Sequence, residues 1–127
     1  MAQRILLLCL AGAAGTLCRY TLAGLTQRAV GTTFPWGTLA VNTTGCFAAG
    51  LLWALFEQRW PVSSDARVIV MIGFMGAFTT FSTYILESGE FLRTAQYFTA
   101  AGNFFLQNGL GFLALMAGIA LGRITTL

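Results

Sequence analysis

The sequence predicts an all-α integral membrane protein with four transmembrane helices, the third broken near its middle. Three observations lead there. Hydrophobic residues make up 57% of the 127-residue chain and charged residues only 9%, against about 25% charged in soluble domains. The charge is also sorted. Arg4, Arg28, Arg59, Arg67, Arg93 and Arg123, with all the acids (Glu57, Asp65, Glu87, Glu90), sit at or beyond the ends of apolar runs. A charge at the bilayer centre costs about 2.5–3.5 kcal/mol, so this sorting is expected of spanning helices. Finally, one of the runs carries glycines and hydroxyls where a plain anchor would carry Leu, Ile and Val.

The first run is Ile5 to Cys18, continuing past Arg19 to Gln27, and predicts a span over 4–27. Arg4, an apolar stretch and Ala11-Gly12-Ala13 resemble a cleaved signal peptide. The apolar character runs on through Thr16 to Gly24 without a polar mature start, which favours a span. The second run is uncharged from Trp36 to Phe56, the third from Val68 to Leu86 and the fourth from Thr94 to Gly122. Each is close to or beyond the roughly 20 residues that cross a bilayer. They predict spans over 36–56, 68–90 and 94–122, and the fourth is long enough to tilt. Connections this short leave no room for a soluble domain, so 1–127 reads as one transmembrane domain.

Composition excludes several functions. The chain has no His, and its seven basic residues are all Arg. Little remains for acid–base or metal chemistry, and an enzyme is not expected. The basic residues form no cluster, so the net charge of +3 does not point to nucleic acid. Cys9, Cys18 and Cys46 lie within the spans and are odd in number; they read as small packing residues. With four spans both termini share one membrane face. Arg4, Arg59, Arg67 and Arg123 fall on that face and Arg28 and Arg93 on the other, with Arg19 deeper, which is a weak positive-inside signal.

The third run holds the most informative stretch, Gly73-Phe-Met-Gly-Ala-Phe-Thr-Thr-Phe-Ser-Thr-Tyr84. Two helical halves would meet near Gly76 to Thr79, with Thr79, Thr80 and Ser82 available as caps for the second half. Such a break exposes carbonyls on one side, which suit a cation, and N–H groups on the other, which suit an anion. Phe81 and Tyr84 are three apart and share a face. The competing reading is that small residues only allow close helix packing.

Asn42 lies inside the second run. Its amide either donates to an anion or bridges two helices. Gly45 with Ala49, and Gly118 with Gly122, offer small faces for helix contact. Arg19 either draws an anion into a vestibule or pairs with an acid such as Glu87. In the fourth run Asn103 and Gln107 share one face, and Phe104 and Asn108 the next. These amides either line a polar track or tie helices together. Trp36, Trp60 and Tyr97 read as interfacial anchors.

On three stretches the chain resembles the Fluc (CrcB) fluoride channel family. They are Gly15-Thr-Leu-Cys-Arg-Tyr20, Gly37 to Gly45, and Gly73 to Tyr84. The resemblance covers essentially the whole chain. It implies a passive fluoride-selective channel in a bacterial inner membrane, exporting fluoride that entered as HF. It also implies an antiparallel dual-topology homodimer with two pores, and a structural Na⁺ at the dimer centre. By motif the Na⁺ falls on the backbone carbonyls of Gly76 and Thr79. The fluoride path falls on Asn42, Phe81, Ser82, Thr83 and Tyr84, with Phe104 and Asn108 from the fourth helix, and the vestibule arginine is Arg19. Tyr84 departs from the family's usual Phe, and Asn108 replaces a smaller hydroxyl. The expected partners are fluoride, a second copy and membrane lipid, with no nucleic acid.

Fluoride is small and strongly hydrated, so a pore must replace its water with close donors while leaving exit easy. Two other classes compete. A small drug/proton antiporter needs a membrane-embedded carboxylate, for which Glu87 is the remote candidate. A non-transporting assembly subunit needs only the four spans.

Overall fold

A computed structural model describes residues 1–31, 33–58 and 62–124. Trp60 and Arg59, named above for anchoring and topology, lie outside the described residues. Helix α1 spans Ala2–Val30 and α2 spans Trp36–Gln58. Helix α3 runs from Ser64 to Phe78 in three consecutive pieces: an α-turn at Ser64–Val68, a π-helical stretch at Ile69–Met75, and Gly76–Phe78. Helix α4 is Phe81–Arg93 and α5 is Tyr97–Ile124. Helices α3 and α4 together form one membrane crossing, so four stretches are long and apolar enough to span. The protein is therefore a multi-pass membrane protein, and Trp36 and Tyr97 stand at the first turns of their helices.

The third crossing is broken at the far end of the predicted Gly76 to Thr79 stretch, past its glycine. Gly76 is helical at φ −64, ψ −32. The chain becomes extended at Thr79 (φ −79, ψ 157) and Thr80 (φ −145, ψ 104). The reason is a pairing from another helix. The Asn42 amide bonds the Thr80 backbone in both directions: Thr80 N–H donates to Asn42 Oδ1 at 2.8 Å, and Asn42 Nδ2 donates to Thr80 O at 3.1 Å. Unwound backbone at membrane depth must find such partners inside the protein. Thr80 also caps α4, its hydroxyl accepting from Thr83 N–H at 3.3 Å.

Close helix approach holds the break in place. A Cβ on Gly45 of α2 would collide with Thr79 Cγ2 and lie 3.2 Å from the Phe78 ring. On the other side of the bundle, a Cβ on Gly118 of α5 would collide with the Phe47 carbonyl of α2. Small residues that let backbones touch are the usual cement of helices in lipid. The buried core is Val41, Met75 and Phe78, surrounded by Leu22, Ala48, Leu52 and Phe74. It joins α1, α2 and α3 immediately beside the break.

The ends are tied by polar contacts. Arg4 pairs with Asp65 at 3.2 Å, which puts the starts of α1 and α3 on one membrane face. At the opposite end Gln27 holds the α1–α2 connection. Its Nε2 donates to Phe34 O at 2.8 Å and to Gly31 O, and its Oε1 accepts from Gly37 N–H at 3.0 Å. The last of these satisfies one of the N–H groups left open at the start of α2.

Candidate functional site

Among the described residues two cavities flank the break, and a third lies beyond one of them. The smaller of the two, termed the inner cavity and bordered by the exposed Phe81 and Asn108, is about 210 Å³ and is lined also by Asn42, Cys46, Thr79, Tyr84 and Gln107. Across the break a cavity of about 350 Å³ is lined by Thr16, Arg19, Thr38, Val41, Thr80 and Thr83, with Tyr20 and Ala23. Tyr20, Ala23 and Thr38 also line a wider outer cavity of about 880 Å³ that contains Gln27, Glu87 and Glu90. Thr79 faces the inner cavity and Thr80 the Arg19 cavity, so the two extended residues separate them.

Helix geometry explains who lines what. Asn42 and Cys46 are four apart on α2 and share the inner face, while Thr38 and Val41 turn toward the Arg19 cavity. Asn42 is fully engaged. Besides both bonds to Thr80, its second N–H donates to Gln107 Oε1 at 3.0 Å. Gln107 Nε2 reaches Asn103 Oδ1 at 3.5 Å, Asn103 Nδ2 donates to Ser88 Oγ at 2.9 Å, and Ser88 Oγ donates to Tyr84 O at 2.9 Å. A chain of amides and a hydroxyl thus links α2, α5 and α4. Buried polar groups persist only when partnered in this way. Asn103 is completely buried and Gln107 nearly so.

The sequence-predicted residues fall into three groups. Asn42, Phe81, Tyr84, Asn108 and Thr79 meet at the inner cavity. The rings of Phe81 and Tyr84 stand edge to face, centroids 5.6 Å apart and planes at 68°. Tyr84 is 3% exposed, whereas Phe81 is 72% exposed on the single chain. Arg19 and Thr83 meet at the second cavity. The Thr83 hydroxyl accepts from Thr80 Oγ1 at 2.8 Å. Arg19 makes no ion pair among the described residues; Glu87 instead accepts from Thr38 Oγ1 at 2.6 Å.

The remaining predicted residues lie outside these cavities. Ser82 is exposed and lines none of the three. The Phe104 ring is 54% exposed and packs edge to face on Phe105, while its carbonyl accepts from Asn108 Nδ2 at 2.7 Å. Gly76 is exposed on the bundle surface beside the break. Gln107 and Thr80 belong to the site although the family motif did not place them there. Gln107 was visible in the sequence as an amide on the Asn103 face, but nothing local showed that this face meets Asn42.

Comparison with known proteins follows the same outline. Residues 6–119 match the family described as CrcB-like protein, Camphor Resistance (CrcB). A protein named fluoride-specific ion channel FluC from Desulforapulum autotrophicum is 56% identical over 98% of this chain and 99% of its own length. Proteins of the same name from Solidesulfovibrio magneticus and Nitrosococcus oceani are 49% and 47% identical over the same shares.

Proposed function

The chain belongs to the CrcB-like protein family, and from that premise we propose that it is a passive fluoride-selective channel of the bacterial inner membrane. It is an ion channel, not an enzyme. One observation of the structure supports the reading most: a helix break at membrane depth with, on each side, a cavity into which a few polar side chains converge. A plain anchor has no use for such a break. A channel for a small, strongly hydrated anion needs close neutral donors without a fixed cation that would trap the ion.

The path runs from the outer cavity past Arg19, across Thr80 and Thr83, to the inner cavity of Asn42, Phe81 and Tyr84. Arg19 raises the local anion concentration before the narrow part. Asn42 clamps the break, and its N–H toward Gln107 is the one a passing anion takes over. Phe81 and Tyr84 present ring edges, which carry partial positive charge. Ser82, Phe104 and Asn108 continue the wall, Ser82 and Phe104 from surfaces that a second copy would cover.

The functional unit in this reading is an antiparallel dual-topology homodimer. Its support is the weakness of the arginine bias, four on one face against two on the other, and the exposure of Phe81 and Gly76 on the single chain. A structural Na⁺ fits at the centre. Thr80 N–H, the donor that a continuous helix would give to the Gly76 carbonyl, is taken by Asn42. Together with the Thr79 carbonyl at the extended end, this supplies hard oxygen donors of the kind unwound membrane helices offer to Na⁺. Among the described residues no cluster of His, Cys, Asp or Glu competes for a metal. The ion would neutralise the carbonyl ends and hold the two halves of the crossing together.

Growth provides the test. Expression in bacteria that lack fluoride export should restore growth at fluoride concentrations that arrest the parent cells. Absence of rescue with normal membrane expression would remove the fluoride reading. Resistance to lipophilic cations instead would favour a drug/proton antiporter working through Glu87.

A further inference from the structure

We propose that the Tyr84 hydroxyl donates a hydrogen bond to the anion in the inner cavity, and that Asn108 orients it for this task. The inference rests on the fluoride reading above. Several donors around the cavity have already given their protons to the protein. Asn42 commits one N–H to Thr80 O and the other to Gln107 Oε1, and its oxygen takes Thr80 N–H. The Thr79 hydroxyl donates to Met75 O at 3.0 Å. Asn108 directs its amide nitrogen to Tyr84 Oη at 3.1 Å and to Phe104 O at 2.7 Å.

Tyr84 is different. Its hydroxyl accepts from Asn108 and donates to no group among the described residues. A phenol carries one proton and can accept as well as donate. With the acceptor side occupied by Asn108, the proton points away from that amide. The residue is 3% exposed, and the open space it lines is the inner cavity. A hydroxyl that accepts one hydrogen bond becomes a stronger donor of the next. The Asn108–Tyr84 pair is therefore a built donor beside a cavity whose principal amide, Asn42, must leave Gln107 before it can reach an anion. A short O–H donor also favours a small anion over a large one, so the pair acts on selectivity as well as affinity.

Fluoride efflux from liposomes, measured over a range of internal fluoride concentrations, tests this with two variants. Tyr84→Phe keeps the ring and its edge and removes only the hydroxyl. The expected result is about a tenfold loss of flux at low fluoride, the scale of one hydrogen bond to a charged group, with flux approaching the unmodified protein at high fluoride. Asn108→Leu keeps the phenol and removes its orienting donor; a smaller loss of the same concentration-dependent form is expected. Unchanged flux in Tyr84→Phe at every concentration would overturn the proposal. So would a loss equal at all concentrations, which marks a packing defect. Both results leave the fluoride reading standing, whereas absence of fluoride flux in the unmodified protein removes that reading itself.

Discussion

The two cavities on either side of the break are built from opposite materials. The Arg19 side holds a guanidinium that has no ion-pair partner among the described residues and is ringed by threonines. The Asn42 side is lined, among the described residues, by neutral side chains; its amides and hydroxyls are bonded to one another and to the unwound backbone. A charge acts at a distance and attracts any anion. Neutral donors act only on contact, and their positions decide which anion fits. Attraction and discrimination are thus separated in space by two residues of extended chain, Thr79 and Thr80.

Breaking the neutral side should cost most. Asn42→Asp replaces the amide nitrogen, which donates to Thr80 O and Gln107 Oε1, with an oxygen facing those two oxygens. Fluoride flux in liposomes should fall on the order of 100-fold, about 2.7 kcal/mol. Flux within a factor of three of the unmodified protein would show that the clamp is not on the path. Phe81→Ile removes a ring edge but none of these hydrogen bonds. Efflux should drop about tenfold or more, roughly 1.4 kcal/mol, while size-exclusion elution stays the same; undiminished efflux would take Phe81 off the path.

The charged side should matter less and in a different way. Arg19→Gln should lower fluoride flux about threefold at low ionic strength. The deficit should shrink as salt screens the arginine in the unmodified protein. A deficit that does not change between low and high salt would mean that Arg19 works by contact and not by attraction.

Much of this architecture is legible in the chain. Charge sorting marks the four crossings, because the price of burying a charge in lipid leaves a pattern that needs no tertiary information. The composition of Gly73 to Tyr84 announces a break for a similar reason. Its placement is another matter. The predicted stretch ran from Gly76 to Thr79, yet Gly76 stays helical and the break falls at Thr79 and Thr80, where the partner is Asn42, 38 residues from Thr80. The fourth helix teaches the same lesson. Asn103 with Gln107 and Phe104 with Asn108 are adjacent faces of one helix, one residue apart in sequence. Only the contact with α2 shows that Gln107 meets Asn42, and only the contact with α4 shows that Asn108 meets Tyr84. Local pattern reveals that polar groups sit in the membrane; their pairing is a property of the packed bundle.

The most direct measurement compares two anions under one gradient. Liposomes containing the purified protein are loaded with equal fluoride and chloride, and release of each is followed with its own electrode. Fluoride should leave rapidly while chloride release stays at the rate of protein-free liposomes. Chloride release comparable to fluoride would contradict the account, because neutral contact donors placed for a small anion would then not be selecting it.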